Sequence, residues 1–537
     1  MGILVGSKGF FTDPGYFMER LTHKIQQKYY AITKTEPDIQ EEIITTADHH
    51  KVLVDHPKGY SVALPEDMSF DRSVAPEQIK AYNDSTTVVI TREWAPYEDV
   101  FYFIDHYLNN YYLNEEFIAQ NHLTITQNNR FTMKNGARAQ LISFTRTPAD
   151  GSQVTQNNYT YFFVESMTGK QAFFRMMFKS EDSQSLVSMV QEAVASFEEI
   201  PIQGGNVFHE EYAPVIPASW NEETKKLYQS ICSRKDISWG LFVDGSYTDE
   251  KKYQWFADLE EKVDYSFDFS LHYVNLNHGF PKEELQKMYD RGKLTELTLQ
   301  ISYHANDNLF GKNINLDVYD GVYDEEIRAF ARGAKEFGHP FLFRLNNEMN
   351  SDWVNYSGVA ALSDPEIFIE NWRRIYRIFE EEGVDNAIWI FNPNAEDCPP
   401  CHWNSYIAYY PGNEYIHMIG LTGYNTGTYY AELYHEKWRT FDEIYQQPYE
   451  KYMQVFSEFP FIITEFASSS VGGDKAEWIT QMFSSIQKYP NIKMALWWSS
   501  ADYDMREEFY KTLARPYWLD ETEGTTKAFR EGIKQYR

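Results

Sequence analysis

The sequence predicts an α/β protein in which a (β/α)8 barrel follows a smaller α+β domain. After residue 220, short apolar segments alternate with amphipathic segments of helical period, which is typical of parallel strands joined by helices. Before residue 200, strands and short turns come first and a helix closes the region. A segment rich in Pro and Gly separates the two parts. We therefore expect a leader or linker over 1–45, an α+β accessory domain over 46–200, a linker over 201–219 and a barrel over 220–537.

The predicted accessory domain begins with a hairpin over 51–64, whose second strand alternates apolar and polar residues. Strands at 86–91 and 140–146 follow, and a second hairpin covers 159–179. A helix over 182–197 places its apolar residues on one face and ends the domain. This order of elements resembles the PsbP/Mog1-like sandwich. The segment contains no catalytic constellation, so we expect a binding or spacing role for it.

Eight apolar segments fit the strands of a barrel. They lie at 238–243, 267–273, 296–303, 341–345, 387–391, 417–421, 461–464 and 492–498. Amphipathic helices are expected at 251–263, 282–291, 324–337, 365–382, 441–456 and 475–488. The fourth of these helices is expected to begin with a capping box of Ser363 and Glu366 and to end at Gly383. An open doubly wound sheet is the alternative, but no Gly-rich phosphate loop follows any of the strands.

Composition and net charge limit the classes of molecule that this chain is expected to bind. With 537 residues, 43% hydrophobic and 24% charged, the chain can bury sizeable cores in two or three domains. An excess of 79 acidic over 49 basic residues gives a net charge of −30, which argues against nucleic acid and anionic membranes as partners. No segment approaches the roughly 20 consecutive apolar residues of a membrane-spanning helix. The first residues do not resemble a secretory signal peptide.

Three cysteines occur, and two of them form a Cys398-Pro-Pro-Cys401 motif. Such a spacing can belong to a redox pair, to half of a zinc site, to a loop-closing disulfide or to unpaired thiols. No second pair with this spacing follows, and the motif does not open a helix. These observations favour either a disulfide that closes a structural loop or two unpaired thiols, and the sequence does not decide between them.

Two glutamates stand where the chemistry of a barrel is usually found. Glu348 and Glu465 each come just past an apolar strand, the fourth and the seventh. Catalytic residues of barrels lie at the carboxyl ends of the strands, and strands four and seven face each other across eight. A facing pair of carboxyl groups is what hydrolysis of a glycosidic bond requires, one as proton donor and one to attack or stabilise the anomeric carbon. We therefore predict a glycosidase site.

Other polar and aromatic side chains near the ends of the predicted strands complete the candidate site. Aromatic rings suit a carbohydrate ligand because sugar rings present apolar C–H faces that stack on them. The candidates are Tyr273, His304, Arg344, Asn347, Trp353, Asn394, Tyr424, Trp497 and Trp498.

The sequence Arg344-Leu-Asn-Asn-Glu348-Met-Asn350, with Trp353 after it, resembles the acid/base motif of glycoside hydrolase family 26. The segment 463–466, Ile-Thr-Glu-Phe, resembles the nucleophile strand of that family. The resemblance covers about 236–505 and leaves the N-terminal part outside. It implies a retaining endo-β-glycanase that acts by double displacement on a polysaccharide, needs no cofactor or metal, and works outside the cell or at its surface. Oligomeric state is left open.

The resemblance also implies individual roles. Glu348 would be the general acid/base and Glu465 the nucleophile, with carboxyl groups about 5–5.5 Å apart. Arg344 would orient and ionise Glu465, and Tyr424 would donate a hydrogen bond to it. The floor under the cleaved sugar would be Trp497 or Trp498. Further sugar units would contact Trp353, His304 and Tyr273.

The chain departs from the family pattern at Asn347. Mannan-cleaving members usually carry His immediately before the acid/base residue, whereas an amide can donate to one oxygen and accept from another, which suits an equatorial 2-hydroxyl. The predicted substrate is therefore a β-glucan or a related polysaccharide, with β-mannan as the second candidate and xylan as a third. A barrel of the cell envelope that binds polysaccharide without cleaving it is the alternative function.

Overall fold

A computed structural model describes residues 39–47, 50–97, 99–302, 309–507 and 511–536. The predictions made for residues 1–38 and for His304 lie outside these ranges. Among the helices of the described ranges, none is both long enough and apolar enough to cross a membrane.

The C-terminal part contains a closed barrel of eight parallel strands, as the sequence predicts. The eighth strand pairs with the first, Ser238 opposite Met494, which closes the sheet. Four strands differ from the predicted limits by two residues or more. The second lies two residues further along the chain, the third begins and ends earlier, and the sixth and seventh run on to Asn425 and Ser468. In order, the barrel strands are Ser238–Val243, Phe269–Asn275, Leu294–Gln300, Phe341–Leu345, Ala387–Phe391, Met418–Asn425, Phe461–Ser468 and Ile492–Ser499.

Helices surround the barrel, and the longer ones bury their apolar faces against the strands. They are Glu222–Ser233, Glu250–Val263, Lys282–Asp290, Ile314–Asp320, Asp324–Phe337, Pro365–Glu382, Ala431–Tyr434, Phe441–Phe456, Lys475–Ser485 and Glu523–Ile533. Between the fifth and sixth strands the described chain forms two short 3-10 turns, His402–Asn404 and Tyr406–Tyr409. A small hairpin, Ala501–Tyr503 with Leu513–Pro516, follows the eighth strand.

The predicted capping box of Ser363 and Glu366 is wrong. The helix Pro365–Glu382 is capped by Asp364, whose carboxylate accepts from the Glu366 backbone N–H. Proline at the first helical position disfavours the helical conformation for the residue before it, so Asp364 is extended and takes the cap position. Ser363 instead has a positive φ of 55°.

The N-terminal part is built on two antiparallel sheets. The smaller sheet contains Glu41–Thr45, His50–Asp55, Tyr60–Pro65 and Glu198–Glu199, so the last residues of the predicted leader form a strand. The larger sheet has, in spatial order, Ser69–Asp71, Ile79–Tyr82, Thr86–Trp94, Ala172–Ser180, Asn158–Glu165, Arg138–Arg146 and Leu123–Thr132. Helices Val100–Tyr111, Glu115–Gln120 and Ser183–Ser196 complete this part.

The two faces of the larger sheet have different neighbours. The helix Ser183–Ser196 packs on one face, with Leu186 and Val190 in a core made only of N-terminal residues. On the other face, a second core combines the helix Val100–Tyr111 with apolar residues from the barrel loops, among them Leu362 and Trp403. The barrel and the N-terminal part share this core, so the packing of apolar residues does not mark a boundary between two domains. The domain limits expected from the sequence therefore remain predictions.

Candidate active site

Glu465 is held by two side chains, one from the neighbouring sixth strand and one from the fourth strand. It lies within the seventh strand, which runs on to Ser468, and not just past that strand as the sequence predicts. The pairing register of the strand shifts between Ile463 and Phe466. Arg344 forms an ion pair with it, with Nη2 2.7 Å from Oε1. The Tyr424 hydroxyl donates to Oε2 at 2.7 Å. Burial and the charge of Glu465 raise the pKa of Tyr424 well above its usual value, so this hydroxyl stays protonated as a donor. Both carboxylate oxygens of Glu465 are therefore engaged.

Arg344 is buried and rigidly anchored inside the barrel. Its Nε donates to Thr298 Oγ1 at 2.7 Å, and its Nη1 donates to Asn392 Oδ1 at 3.0 Å. Because each of the three guanidinium nitrogens has a different neighbour, the planar group cannot rotate without losing a contact. The arginine thus presents a fixed positive charge to Glu465.

Glu348 has a different environment. It follows the fourth strand with a positive φ of 59°, and its backbone N–H donates to Asn392 O at 2.8 Å. The Trp353 indole N–H reaches its Oε2 at 3.4 Å. Burial, and next the negative charge of Glu465, raise the pKa of Glu348 to about 7. A carboxyl group with this pKa can hold a proton near neutrality and can also give it up.

A third carboxyl group, Glu296, lies deeper in the barrel. It is fully buried on the third strand, with Oε1 3.2 Å from Arg344 Nε. Burial raises its pKa to about 8, against the opposing effect of the nearby arginine. A neutral Glu296 leaves the charge of Arg344 to Glu465, since two ionised carboxylates would otherwise compete for one cation.

Asn347 is oriented by two donors. Gln300 Nε2 donates to its Oδ1 at 3.1 Å, and the Tyr356 hydroxyl donates to the same oxygen at 3.2 Å. Both contacts use the amide oxygen, so the amide nitrogen is the group oriented to donate to a ligand. The sequence predicts that the amide of Asn347 both donates to the sugar and accepts from it. In the structure its oxygen is already engaged, so we expect it to act toward the sugar as a donor only.

Aromatic rings form a wall beside Glu465. Trp498 stacks on Phe242 with ring centroids 5.4 Å apart and an interplanar angle of 13°. Tyr424 meets Trp498 edge to face at 6.0 Å, and Tyr273 meets Phe242 in the same way at 5.6 Å. The guanidinium of Arg344 lies 5.5 Å from the Tyr273 ring centroid. The structure therefore brings Trp498, Tyr273 and Tyr424 together with the candidate nucleophile.

Trp497 does not reach this wall. Its side chain is completely buried on the outside of the barrel, against Trp478 and Phe529, and its indole N–H donates to Tyr517 O at 3.0 Å. Successive side chains of a strand point to opposite faces, so only one of the two adjacent tryptophans can face the site. Of the two candidates for the sugar-stacking floor, Trp497 is thus the wrong one.

Asn394 lies in the loop after the fifth strand and braces that loop. Its backbone N–H donates to Asn350 Oδ1 at 2.6 Å, and its Nδ2 donates to Glu396 O at 2.6 Å. It therefore supports the acid/base motif through Asn350. In the same loop, Cys398 and Cys401 are buried and are not joined in a disulfide.

Sequence reasoning missed Glu296, Gln300 and Tyr356. The third strand carried a usable signal, because Glu296, Thr298 and Gln300 alternate with apolar residues in an otherwise buried segment. Polar side chains with a period of two in a barrel strand point to the interior. For Tyr356 the sequence offered no such signal, because it follows Glu348 in a segment without regular structure.

A closed (β/α)8 barrel that carries one glutamate just past its fourth strand and another within its seventh is an arrangement typical of O-glycosyl hydrolases. Within the barrel, residues 311–446 match the model of Glycosyl hydrolase family 26. The similarity to this family thus includes the fourth, fifth and sixth strands of the barrel.

Individual relatives differ in their named activity. The chain is 32% identical to Endoglucanase H of Acetivibrio thermocellus over 187 residues, which cover 34% of this chain and 20% of that protein. It is 30% identical to a Mannan endo-1,4-beta-mannosidase of Bacillus subtilis over 108 residues, 19% of this chain and 28% of that protein. The chain thus spans less than a third of the length of these two relatives. A family 26 β-mannanase structure from Bacteroides ovatus has a TM-score of 0.42 and 18% identity, covering 58% of this chain and 93% of the other.

Proposed function

We propose that this protein is a retaining glycoside hydrolase that cleaves internal β-glycosidic bonds of a polysaccharide, with Glu465 as nucleophile and Glu348 as general acid/base. The observation that carries the proposal is the unequal environment of the two carboxyl groups. Glu465 has a buried cation and a hydroxyl on its two oxygens, whereas the pKa of Glu348 is raised to about 7. Paired carboxyl groups in contrasting environments are how such enzymes separate nucleophile from acid.

In the first step, Glu348 donates its proton to the leaving glycosidic oxygen while a Glu465 oxygen attacks the anomeric carbon. The C–O bond to the leaving group breaks, and a glycosyl ester to Glu465 forms. Arg344 and Tyr424 keep the attacking carboxylate oriented. In the second step, Glu348 takes a proton from water, the water oxygen attacks the anomeric carbon, and Glu465 leaves. Two inversions give net retention of configuration.

Substrate contacts belong to the same proposal. Asn347 would donate from its amide nitrogen to a sugar hydroxyl, and Trp498, Tyr273 and Trp353 would contact sugar rings. A β-glucan and a β-mannan are the two candidate substrates, in keeping with an endoglucanase and a mannanase among the relatives. A single donor accommodates a hydroxyl of either configuration, so Asn347 does not choose between them. An extracellular or cell-surface location is part of this proposal.

The experiment is a product assay on a panel of mannan, lichenan, laminarin and xylan, with the Glu348→Gln/Glu465→Gln double variant as control. We expect oligosaccharides from at least one β-glucan or from mannan with the native chain, and none with the double variant. Binding to a glycan in the panel, without product from any of them, would overturn the proposal in favour of a non-catalytic polysaccharide-binding barrel.

A further inference from the structure

Three consecutive barrel loops rest on the N-terminal part of the chain. After the third strand, Asn121 Nδ2 donates to Gly311 O at 2.9 Å, and Asn313 N–H donates back to Asn121 Oδ1 at 2.9 Å. After the fifth strand, the Glu93 carboxylate accepts from the backbone N–H groups of His402 and Trp403, at 2.7 and 3.0 Å. The loop between these two carries Glu348.

That middle loop, residues 346–364, is unusual in conformation. It has no regular secondary structure, and most of it is buried. Four of its residues other than glycine have positive φ, namely Asn346, Glu348, Leu362 and Ser363. Such conformations are unfavourable for residues with a side chain and persist only where the surroundings enforce them. Barrel strands and the residues directly after them hold the first two of these residues, whereas the N-terminal sheet holds Leu362 and Ser363.

At the end of the loop, the larger N-terminal sheet holds three successive residues. The Tyr161 hydroxyl donates to Leu362 O at 2.5 Å, and Arg175 Nη2 donates to Ser363 O at 2.6 Å. Lys179 Nζ lies 3.0 Å from Asp364 Oδ2, and both side chains are buried. Hydrogen bonds that involve a charged group are stronger than neutral ones. The sheet thus fixes the conformation in which the loop enters the next helix.

At the beginning of the loop, the N-terminal helix Val100–Tyr111 reaches the neighbour of an active-site residue. The Tyr111 hydroxyl donates to Asp352 O at 3.1 Å. The next residue, Trp353, directs its indole N–H to Glu348. The N-terminal part is therefore linked to the candidate proton donor through Asp352, the adjacent Trp353 and one hydrogen bond.

We propose that the N-terminal domain is a positioning part of the active site, in which Tyr111 and Tyr161 hold the loop 346–364 so that Trp353 stays on Glu348. This proposal rests on the catalytic role proposed above for Glu348. It assigns the N-terminal domain to the catalytic unit and replaces the binding or spacing role expected from the sequence.

A buried ion pair supports a permanent contact between the N-terminal part and the barrel. Arg146 and Asp320 form a two-fold ion pair across the junction, at 2.7 Å for both contacts, with 2% and 3% of their side chains exposed. Separating the two parts would break these charge-assisted hydrogen bonds and expose the apolar core that the two parts share. Deletion of the N-terminal part would therefore disrupt the barrel as well, and point variants in the full chain are the suitable test.

The test uses three conservative variants, each of which removes one hydroxyl. Tyr111→Phe and Tyr161→Phe remove the two contacts to the loop. Tyr60→Phe is the matched control, because Tyr60 is a buried tyrosine of the same domain in the core that contains no barrel residue. Amide hydrogen exchange of peptides from 346–364 is measured first, since it does not depend on turnover. We expect several-fold faster exchange in both junction variants and no change in the control.

The second readout is the pH profile of kcat/KM on a glycan that the native chain cleaves. The Trp353 hydrogen bond favours the ionised form of Glu348 and lowers its pKa. Loosening this hydrogen bond should raise the pKa of Glu348 and move the alkaline limb of the pH profile to higher pH. We also expect a several-fold lower kcat. Trp353→Phe should cause the same shift, and Tyr111→Phe added to Trp353→Phe should cause no further shift.

The outcomes separate the two proposals. Unchanged exchange in both junction variants, or an alkaline limb that moves in Tyr60→Phe as much as in Tyr111→Phe, would overturn the positioning role. Additive shifts in the Tyr111→Phe/Trp353→Phe double variant would overturn the route through Trp353. If the native chain cleaved no glycan, the catalytic proposal would fail, while faster exchange in the junction variants would still support the restraint on the loop.

Discussion

The segments around Glu348, after the fourth barrel strand, and Glu465, within the seventh, have the same build in sequence and opposite surroundings in space. Each places a glutamate after an apolar run, yet only Glu465 is paired with the buried guanidinium of Arg344. Glu348 faces the Trp353 indole, and its pKa is raised by burial and by Glu465. The comparison teaches that the roles of paired carboxyl groups are set by their neighbours.

The largest effect is expected from Glu465→Ala. Loss of a catalytic nucleophile should lower kcat by on the order of 10⁴-fold or more, because the covalent route is closed. External azide should partly restore turnover and give a product of inverted configuration. Glu458→Ala is the matched control, since this exposed residue precedes the opposite end of the same strand. Near-native activity of Glu465→Ala would contradict the assignment.

Removal of the proton donor should have a smaller effect that depends on the substrate. Glu348→Ala should lower kcat on a polysaccharide by about 10²–10⁴-fold, the usual contribution of general acid–base catalysis. The loss should shrink with an aryl glycoside whose leaving group needs no proton. In the native chain the alkaline limb of the pH profile should lie near the pKa of about 7 of Glu348, and the variant should lose it. An equal loss on both substrates would argue against a role as acid.

Arg344→Met should affect stability as well as activity. Removing one partner of a buried ion pair costs roughly 3–5 kcal/mol of unfolding free energy, because it leaves an uncompensated buried charge. We expect that loss in denaturant titrations at pH 7. Arg328→Met is the control, because this residue forms its ion pairs with Glu381 and Glu382 near the surface. A loss no larger than that of the control would show that Glu465 does not depend on the cation.

The smallest effect is expected from Glu296→Gln, and its sign depends on pH. Burial raises the pKa of Glu296 from 4.5 to about 8, so between these values the folded state binds the proton more tightly than the unfolded state. The stability linked to this proton is complete below pH 4.5 and is lost as the pH rises through 8. Glutamine has no such proton. The difference in Tm between the variant and the native chain should therefore be small at pH 5 and should increase in favour of the variant up to pH 8. A difference independent of pH would show that Glu296 is ionised in the folded protein.

The barrel and the glutamate pair could be predicted because their signals are local. Apolar strands that alternate with amphipathic helices, and a carboxylate that follows an apolar run, can be recognised in short segments of the sequence. Trp497 and Trp498 could not be separated until the register fixed which one faces inward. The cap at Asp364 was missed because the effect of Pro365 on the residue before it outweighed the Ser363/Glu366 spacing.

Other features depend on packing between distant segments. Glu296 lies in an apolar strand, and its importance appears only when Arg344 is placed beside it. The contacts of Tyr111 and Tyr161 join residues that are more than 200 positions apart, and no local pattern encodes such pairs. The N-terminal part therefore looked like a separate module in the sequence.

The most direct test of the account is the configuration of the first product, followed by ¹H NMR during hydrolysis of whichever β-glycan the native chain cleaves. A nucleophilic Glu465 and an acid/base Glu348 predict that the β-anomer appears first and then mutarotates. Initial release of the α-anomer would mean a single displacement by water, and it would contradict the roles assigned to both glutamates.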